Sequence, residues 1–424
     1  MKLVRFFARL IFGFVFISSG WFKIMDPVGT GLQVTEYLNA AHLDFLSFAS
    51  IPAGMALSAV ELLLGISILL GFQMRIATTS ALILTGFFTL LTAWVYAFDT
   101  VQDCGCFGEA VSLTNAQTFW KNILLLLCIL PVFWHRRHYH LVAPREAEWS
   151  FLGLYFLGAV GAGVFSLVWQ PWVDFGDFRE GASIRNRLEE ARAYEPSYVT
   201  TFVYEKEGDE QEFTLDNLPD STWNYVSTQT QVVGEVEQPF DFPVKDVYGN
   251  YVTDTLMHHP GRFFTAVLYN PQARTEAYWQ ELSQLQDSLS RHNVDLYVLM
   301  AATPDLADSL SLSYGFPMDH LLFSDYKTLI SLSRSNGGVV YWEEAIIIKK
   351  WSFRRLPVDD LSVLYEDAEI VAAGVKITQQ VVCEGIFLIS MLLVALLRYV
   401  CGIVYNNRRR YTYLRRLAIR KQKE

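Results

Sequence analysis

Six long apolar runs limit what this chain can fold into. They occupy residues 6–24, 52–71, 76–98, 119–135, 151–169 and 381–400. A helix crosses a bilayer core in about 20 mostly apolar residues. In lipid, each backbone N–H and C=O has to be paired within the segment itself. The runs therefore predict six membrane-spanning helices, and they account for a 424-residue chain that is 52% hydrophobic. The first run has the basic start of a signal peptide. It is long, however, and Ser18-Ser19-Gly20-Trp21 makes a poor cleavage site, so it reads as a retained span.

Basic residues orient the spans, because cytoplasmic loops carry the excess of Lys and Arg. Lys2, Arg5 and Arg9 precede or open the first span, Arg75 lies between the second and third, and Arg136 and Arg137 follow the fourth. The tail after the sixth holds Arg408, Arg409, Arg410, Arg415, Arg416, Arg420, Lys421 and Lys423. All four groups share one side if both termini are cytoplasmic. The expected location is a bacterial inner membrane, with residues 26–51, the loop around 103–110 and residues 171–380 on the periplasmic side. The last region carries 33 Asp and Glu against 16 Lys and Arg. That balance argues against nucleic acid as a partner. Pro27, Gly29 and Gly31 are expected to end the first span.

The polar region from 171 to 380 is too long to be a structureless loop. A linker at 171–236 contains two β-rich runs around Gly208-Asp209, read as a hairpin. From 237 to 358, strands alternate with helices. RFFTAVLYN at 262–270, VDLYVLMA at 294–301 and HLLFSD at 320–325 read as buried strands, and 338–351 as a closing hairpin. Residues 275–291 have helical periodicity, with Trp279, Leu282, Leu285 and Leu289 three or four apart. Shorter helices are expected at 305–314 and 326–333.

Two of the five cysteines, Cys104 and Cys106, stand one residue apart in the hydrophilic octet DCGCFGEA, residues 103–110. A Cys-x-Cys disulfide closes a very small ring. Departure from ordinary disulfide geometry stores strain and makes the bond easier to reduce, and labile bonds are the catalytic or regulatory ones. Gly105 would allow so tight a turn. The pair is thus a candidate redox centre, with a partner thiol or a membrane quinone as the candidate electron acceptor. Its competitors are an inert or structural thiol pair and, more remotely, a metal site, for which histidines at zinc spacing are missing. Cys128, Cys383 and Cys401 read as packing residues, with a minor resolving-thiol reading for Cys383.

Glu61 falls half-way along the second span, where an ionisable group is costly and usually functional. Lys23, Ser18 and Ser19 are its candidate partners. The group is either a proton relay or quinone-site acid, or a polar clamp between helices. His135, His138 and His140 read as part of a basic surface loop rather than a metal tract. Glu384 is expected near the interface. His258 and His259 precede Pro260 without a carboxylate or cysteine partner that the sequence identifies.

The four-span unit, residues 1–140, resembles the DoxX/MauE group of bacterial membrane proteins. RLIFGFVFISSGWFKIMDP at 9–27, VELLLGISILLG at 60–71 and DCGCFG at 103–108 carry the resemblance. It implies a four-helix membrane bundle tied to thiol redox chemistry outside the cytoplasm. MauE belongs to methylamine utilisation, and nothing in this sequence points to methylamine. The resemblance puts Lys23 and Glu61 in its motifs, which favours the clamp. Residues 237–358 resemble a thioredoxin fold of the TlpA or peroxiredoxin kind. Where that fold carries Cys-x-x-Cys this chain has Pro271-Gln272-Ala273-Arg274, and where it carries a cis-proline this chain has Gly337-Gly338.

The expected fold class is therefore a membrane all-α bundle, extended by two further spans, with a periplasmic α/β thioredoxin-like domain that has lost its own redox centre. The leading functional expectation is envelope thiol–disulfide exchange through Cys104 and Cys106, supported by Glu61 and Lys23. A non-catalytic scaffold, whose α/β domain binds an envelope protein, is the rival. A transporter ranks third, for lack of intramembrane polar residues.

Overall fold

The computed structural model describes residues 2–98, 101, 105–111, 113–139, 144–171, 173–193, 197–206, 209–214, 217–220, 222–233, 240–368 and part of the positions from 370 to 407. The following statements concern those residues. Five helices are long and apolar enough to cross a membrane. They are α1 (Lys2–Met25), α3 (Ser50–Leu70), which a 3-10 turn precedes, α4 (Met74–Phe98), α5 (Asn115–Trp134) and α6 (Arg145–Val168). The sixth expected span is helical at its described positions, such as 381, 385 and 389. Most of it, with Cys383, Glu384, Cys401 and the basic tail from 408, lies outside the described residues.

The tightest packing in the bundle joins α1 to α3, and glycine makes it possible. A Cβ on Gly20 would come within 2.6 Å of the Leu62 nitrogen and the Ser58 oxygen. One on Gly65 would come within 2.7 Å of the Ile17 nitrogen. Between lipid-facing helices there is no hydrophobic effect to exploit, so close backbone approach through small residues supplies the attraction. At the end remote from Gly20, Arg9 of α1 donates to the carbonyls of Ile68 and Leu69 at 2.9 and 3.1 Å. It thereby satisfies terminal C=O groups of α3 that the helix itself leaves unpaired. Gly71, at φ 85°, closes α3 in the left-handed conformation.

The first span ends at Met25, just before Pro27, and Pro27, Gly29 and Gly31 then open a further helix that the sequence reading did not include, α2 (Pro27–Ala40). Asp26 caps it by accepting from the Gly29 N–H at 2.9 Å, and Pro27 takes the first helical position, where its missing N–H costs nothing. Gly31 then lies against Ile51 at the start of α3.

The short strand β1 (Cys106–Glu109) follows α4. The three-stranded sheet is larger than the expected hairpin. Its strands β2 (Ser197–Lys206), β3 (Asp209–Thr214) and β4 (Asn224–Val233) stand in the order β3-β2-β4, all antiparallel. The NYVSTQTQVV stretch of β4 has too little contrast between apolar and polar positions to announce itself. Helix α7 (Ile184–Ala193), also unexpected, buries Ile184 and Leu188 on the α/β core.

The α/β domain is built on β5 (Arg262–Leu268), β6 (Asp295–Met300), β7 (Leu321–Phe323), β8 (Gly338–Glu343) and β9 (Ile346–Trp351). Their order is β7-β6-β5-β8-β9. Strands β5, β6 and β7 are parallel; β8 runs against β5, and β9 runs against β8 and so in the direction of β5. The β6-β5-β8-β9 arrangement is the thioredoxin-like core. Helices α8 (Thr253–Met257), α9 (Glu276–Ser290), α10 (Pro304–Tyr314) and α11 (Tyr326–Leu332) complete the domain. Strand β5 is apolar almost throughout because both faces are covered. Phe264, Ala266 and Leu268 pack with α9 and α10, while Phe263 and Val267 pack with α7, α8 and α11. Thr265, buried among them, accepts from the Trp342 indole at 2.8 Å. The parallel pairing of β5 and β6 also gives His259 a carboxylate neighbour, Asp295, at 3.2 Å. The two residues are 36 apart along the chain, so no local pattern announces the pair.

Candidate functional site

Packing of α1 on α3 through Gly20 brings three polar side chains together. Ser19 and Lys23 stand four residues apart on α1, hence on one face. Glu61 meets them from α3. Lys23 Nζ lies 2.9 and 3.0 Å from the two Glu61 carboxylate oxygens, and Ser19 Oγ lies 2.7 Å from Oε2. Glu61 is 2% and Lys23 8% exposed. So deep a charge is tolerated only when paired and hydrogen-bonded.

The same Ser19 hydroxyl reaches outward. Its Oγ is 2.6 Å from the carbonyl oxygen of Cys106. The thiol-bearing turn is thus held directly on the buried polar group. The turn itself is tight, with the Gly108 N–H donating to the Gly105 carbonyl at 3.0 Å. Gly105 and Gly108 have φ values of 54° and 61°, where a side chain is disfavoured. Gly105 is also pressed by the Gln33 amide of α2, which lies 2.0 Å from where a Cβ would stand. Cys106 is half-buried and packs, as Tyr37 and Trp94 do, on the cluster of Val95 and Val101. Phe107 receives the Lys121 ammonium over its ring at 4.7 Å.

Beneath the turn is a cavity of about 460 Å³ that Ser19, Lys23, Glu61, Gln33, Cys106 and Asn122 line on its polar side. Leu57, Phe87, Phe88 and Leu91 supply much of its apolar wall. Asn122 of α5 donates to Thr92 of α4 at 3.2 Å, which ties these two helices together beside it. The structure thus gathers Cys106, Glu61 and Lys23 at one place, while Cys104 lies outside the described residues. Cys128 packs partly buried between helices, away from this cavity.

Sequence reasoning did not find Gln33, Lys121 or Asn122. For Gln33 the only available signal was Asp26-Pro27, which marks a helix start and so puts the following residues on a helix. No local pattern marks Lys121 or Asn122. It also missed how the α/β domain sits. Arg334, in the loop before β8, contacts Asp26 Oδ2 through Nη2 at 2.8 Å and Nε at 3.0 Å. Lys327 of α11 meets Glu36 of α2 at 2.6 Å, and Phe175 stacks edge-on against Phe22 at 5.4 Å. The domain therefore rests on the same end of the bundle as the Cys106 turn. Immediately before Pro271-Gln272-Ala273-Arg274, Asn270 exchanges two hydrogen bonds with Asn336, at 3.0 and 2.7 Å. Asp174, between α6 and α7, is bonded by Lys350 at 2.7 Å. Burial pushes its carboxyl up, but Lys350, Arg334 and the Gly176 N–H together hold it below the usual carboxylate range.

Comparison with known proteins agrees with this division. Residues 1–135 match the model of the family described as methylamine utilisation protein MauE. Residues 198–235, which cover the three-stranded sheet, match a domain of unknown function, DUF8463. No curated protein matches the chain. Among solved structures, yeast Sco1 is similar at 12% identity and a TM-score of 0.25, over 32% of this chain and 99% of that one. BsSco, from the Sco family of cytochrome c oxidase assembly proteins, is similar at 12% identity and a TM-score of 0.24, over 31% and 91%.

Proposed function

We propose, taking residues 1–135 as a MauE-like membrane module joined to a thioredoxin-like domain, that this protein exchanges electrons with envelope thiols through Cys104 and Cys106. In this reading six spans place both termini in the cytoplasm and the α/β domain in the periplasm, where disulfides persist. A partner thiolate attacks one sulfur of the Cys104–Cys106 disulfide and forms a mixed disulfide. The partner's second thiolate resolves it. The partner leaves oxidised, and the pair keeps two electrons and two protons as thiols.

One observation carries the reading: Ser19 joins the carbonyl of Cys106 to the buried Glu61–Lys23 pair. Ser19 has one proton for two acceptors, so the contact set has room for a proton arriving from the turn. Lys23 and Glu61 are supporting residues here, whose first effect is to hold the turn.

The test is differential labelling of spheroplasts with a bulky, membrane-impermeant maleimide. Labelling of both thiols only after mild reduction supports the reading. Full labelling without reduction, never lost on oxidation, refutes it.

A scaffold reading is favoured by a separate observation. The α/β domain has no cysteine between 237 and 358, and the loop bearing Arg334 is engaged with the bundle. In that reading the domain is an anchored binding module for an envelope protein. Serine at both 104 and 106 would then leave capture of that partner intact, whereas redox exchange would be abolished.

A further inference from the structure

We infer that the cavity under the Cys106 turn binds the head of a membrane-dissolved quinone. The inference rests on the redox reading above and names its electron acceptor. Three features of the cavity select the ligand. Its apolar wall, formed in part by Leu57, Phe88 and Leu91, suits a flat ring with an attached hydrocarbon chain. Its polar side offers donors for a carbonyl oxygen. Lys23 has three N–H groups and Glu61 takes two of them, while the Gln33 amide and Lys121 also line the space. Finally, the cavity borders the bilayer rather than water alone. Phe87, half-way along the apolar helix α4, lines it and is itself 57% exposed, on a helix that the reading above places across the bilayer. A water-soluble ligand would not need such a border.

The volume of about 460 Å³ accepts a substituted ring and the first part of its chain. The rest would lie along α4 in lipid. Cys106 lines the same space, so electrons need not travel far. The reaction balances without another reagent. Two thiols lose two S–H bonds and form one S–S bond, and the quinone takes up two electrons and two protons to become a quinol. The thiol pair is reoxidised and ready for the next partner.

The experiment uses the full chain, purified in detergent, with Cys104 and Cys106 both replaced by serine so that no turnover occurs. Decylubiquinone binding is followed by quenching of tryptophan fluorescence, with decylbenzene as the control for partition into detergent. The expected result is saturable binding that decylbenzene does not reproduce. Leu57→Trp, which fills the cavity, should weaken it about tenfold or more. Val34→Phe, from α2, is the second filling variant should the first not fold. Non-saturable quenching, equal quenching by decylbenzene, or unchanged affinity in a folded filling variant overturns the inference. In the cysteine-containing protein, thiol oxidation by decylubiquinone that a folded filling variant does not slow also overturns it, yet leaves thiol exchange standing. Saturable binding with no thiol exchange overturns the redox reading alone.

Discussion

Arg334 and Asp26 form a buried ion pair that ties the α/β domain to the membrane bundle. Both Nε and Nη2 of the guanidinium converge on one carboxylate oxygen, at 3.0 and 2.8 Å. Asp26 uses its other oxygen to cap α2, and Arg334 uses Nη1 to hold the Ile330 carbonyl at 2.8 Å. The contact therefore fixes a helix start in one domain and a loop in the other.

Removing one partner should be costly. Arg334→Met leaves a buried carboxylate without its counter-charge, and such losses run to about 3–5 kcal/mol. Asp26→Asn retains a capping oxygen but still strands the guanidinium. Thermal melting of the purified protein, with hydrogen exchange around 330–336, checks this. Exchange there should rise before the bundle melts, and equal protection in both variants would show that the pair does not hold the domain.

Gly105→Ala should disturb the thiol turn in two separable ways. The left-handed φ costs a non-glycine residue about 1–2 kcal/mol, and the new Cβ would strike Gln33. Adding Gln33→Ala removes the collision and leaves the φ penalty. The rate of Cys106 alkylation should change most in the single variant and return part of the way in the double.

The Lys23–Glu61 pair distinguishes support from chemistry. Glu61→Leu alone leaves a buried ammonium and should sharply lower the yield of folded protein. Lys23→Met with Glu61→Leu removes both charges and should restore folding. If the pair serves only as a clamp, thiol exchange returns with the fold. If Ser19 must pass a proton to Glu61, the double variant folds and its exchange rate stays low.

Acid should loosen the domain contact through Asp174. Its carboxyl titrates below the usual range when folded. The stability it contributes is therefore complete above the unfolded value, about pH 3.9, and is lost as pH falls through the lower folded value. Asp174→Asn should lower the melting temperature near neutral pH and flatten the fall in acid. Melting curves from pH 6 to about pH 3 would show whether the two proteins converge.

The helices and strands were largely legible. Residues 6–24 became Lys2–Met25, 76–98 became Met74–Phe98, and 275–291 became Glu276–Ser290, because length and apolar period are local properties that the residues themselves carry. Cys104, Cys106, Glu61 and Lys23 also stood out as candidates, since a charge in an apolar run and a close cysteine pair are visible without coordinates. The structure decided what these residues meet. Ser19 links Glu61 to Cys106 because Gly20 and Gly65 let two helices approach at one particular stagger. Gln33 reaches Gly105 because α2 turns back over the bundle. Arg334 finds Asp26 across 308 residues of chain. Such meetings depend on how whole elements pack, and the identity of neighbouring residues along the chain holds no record of that.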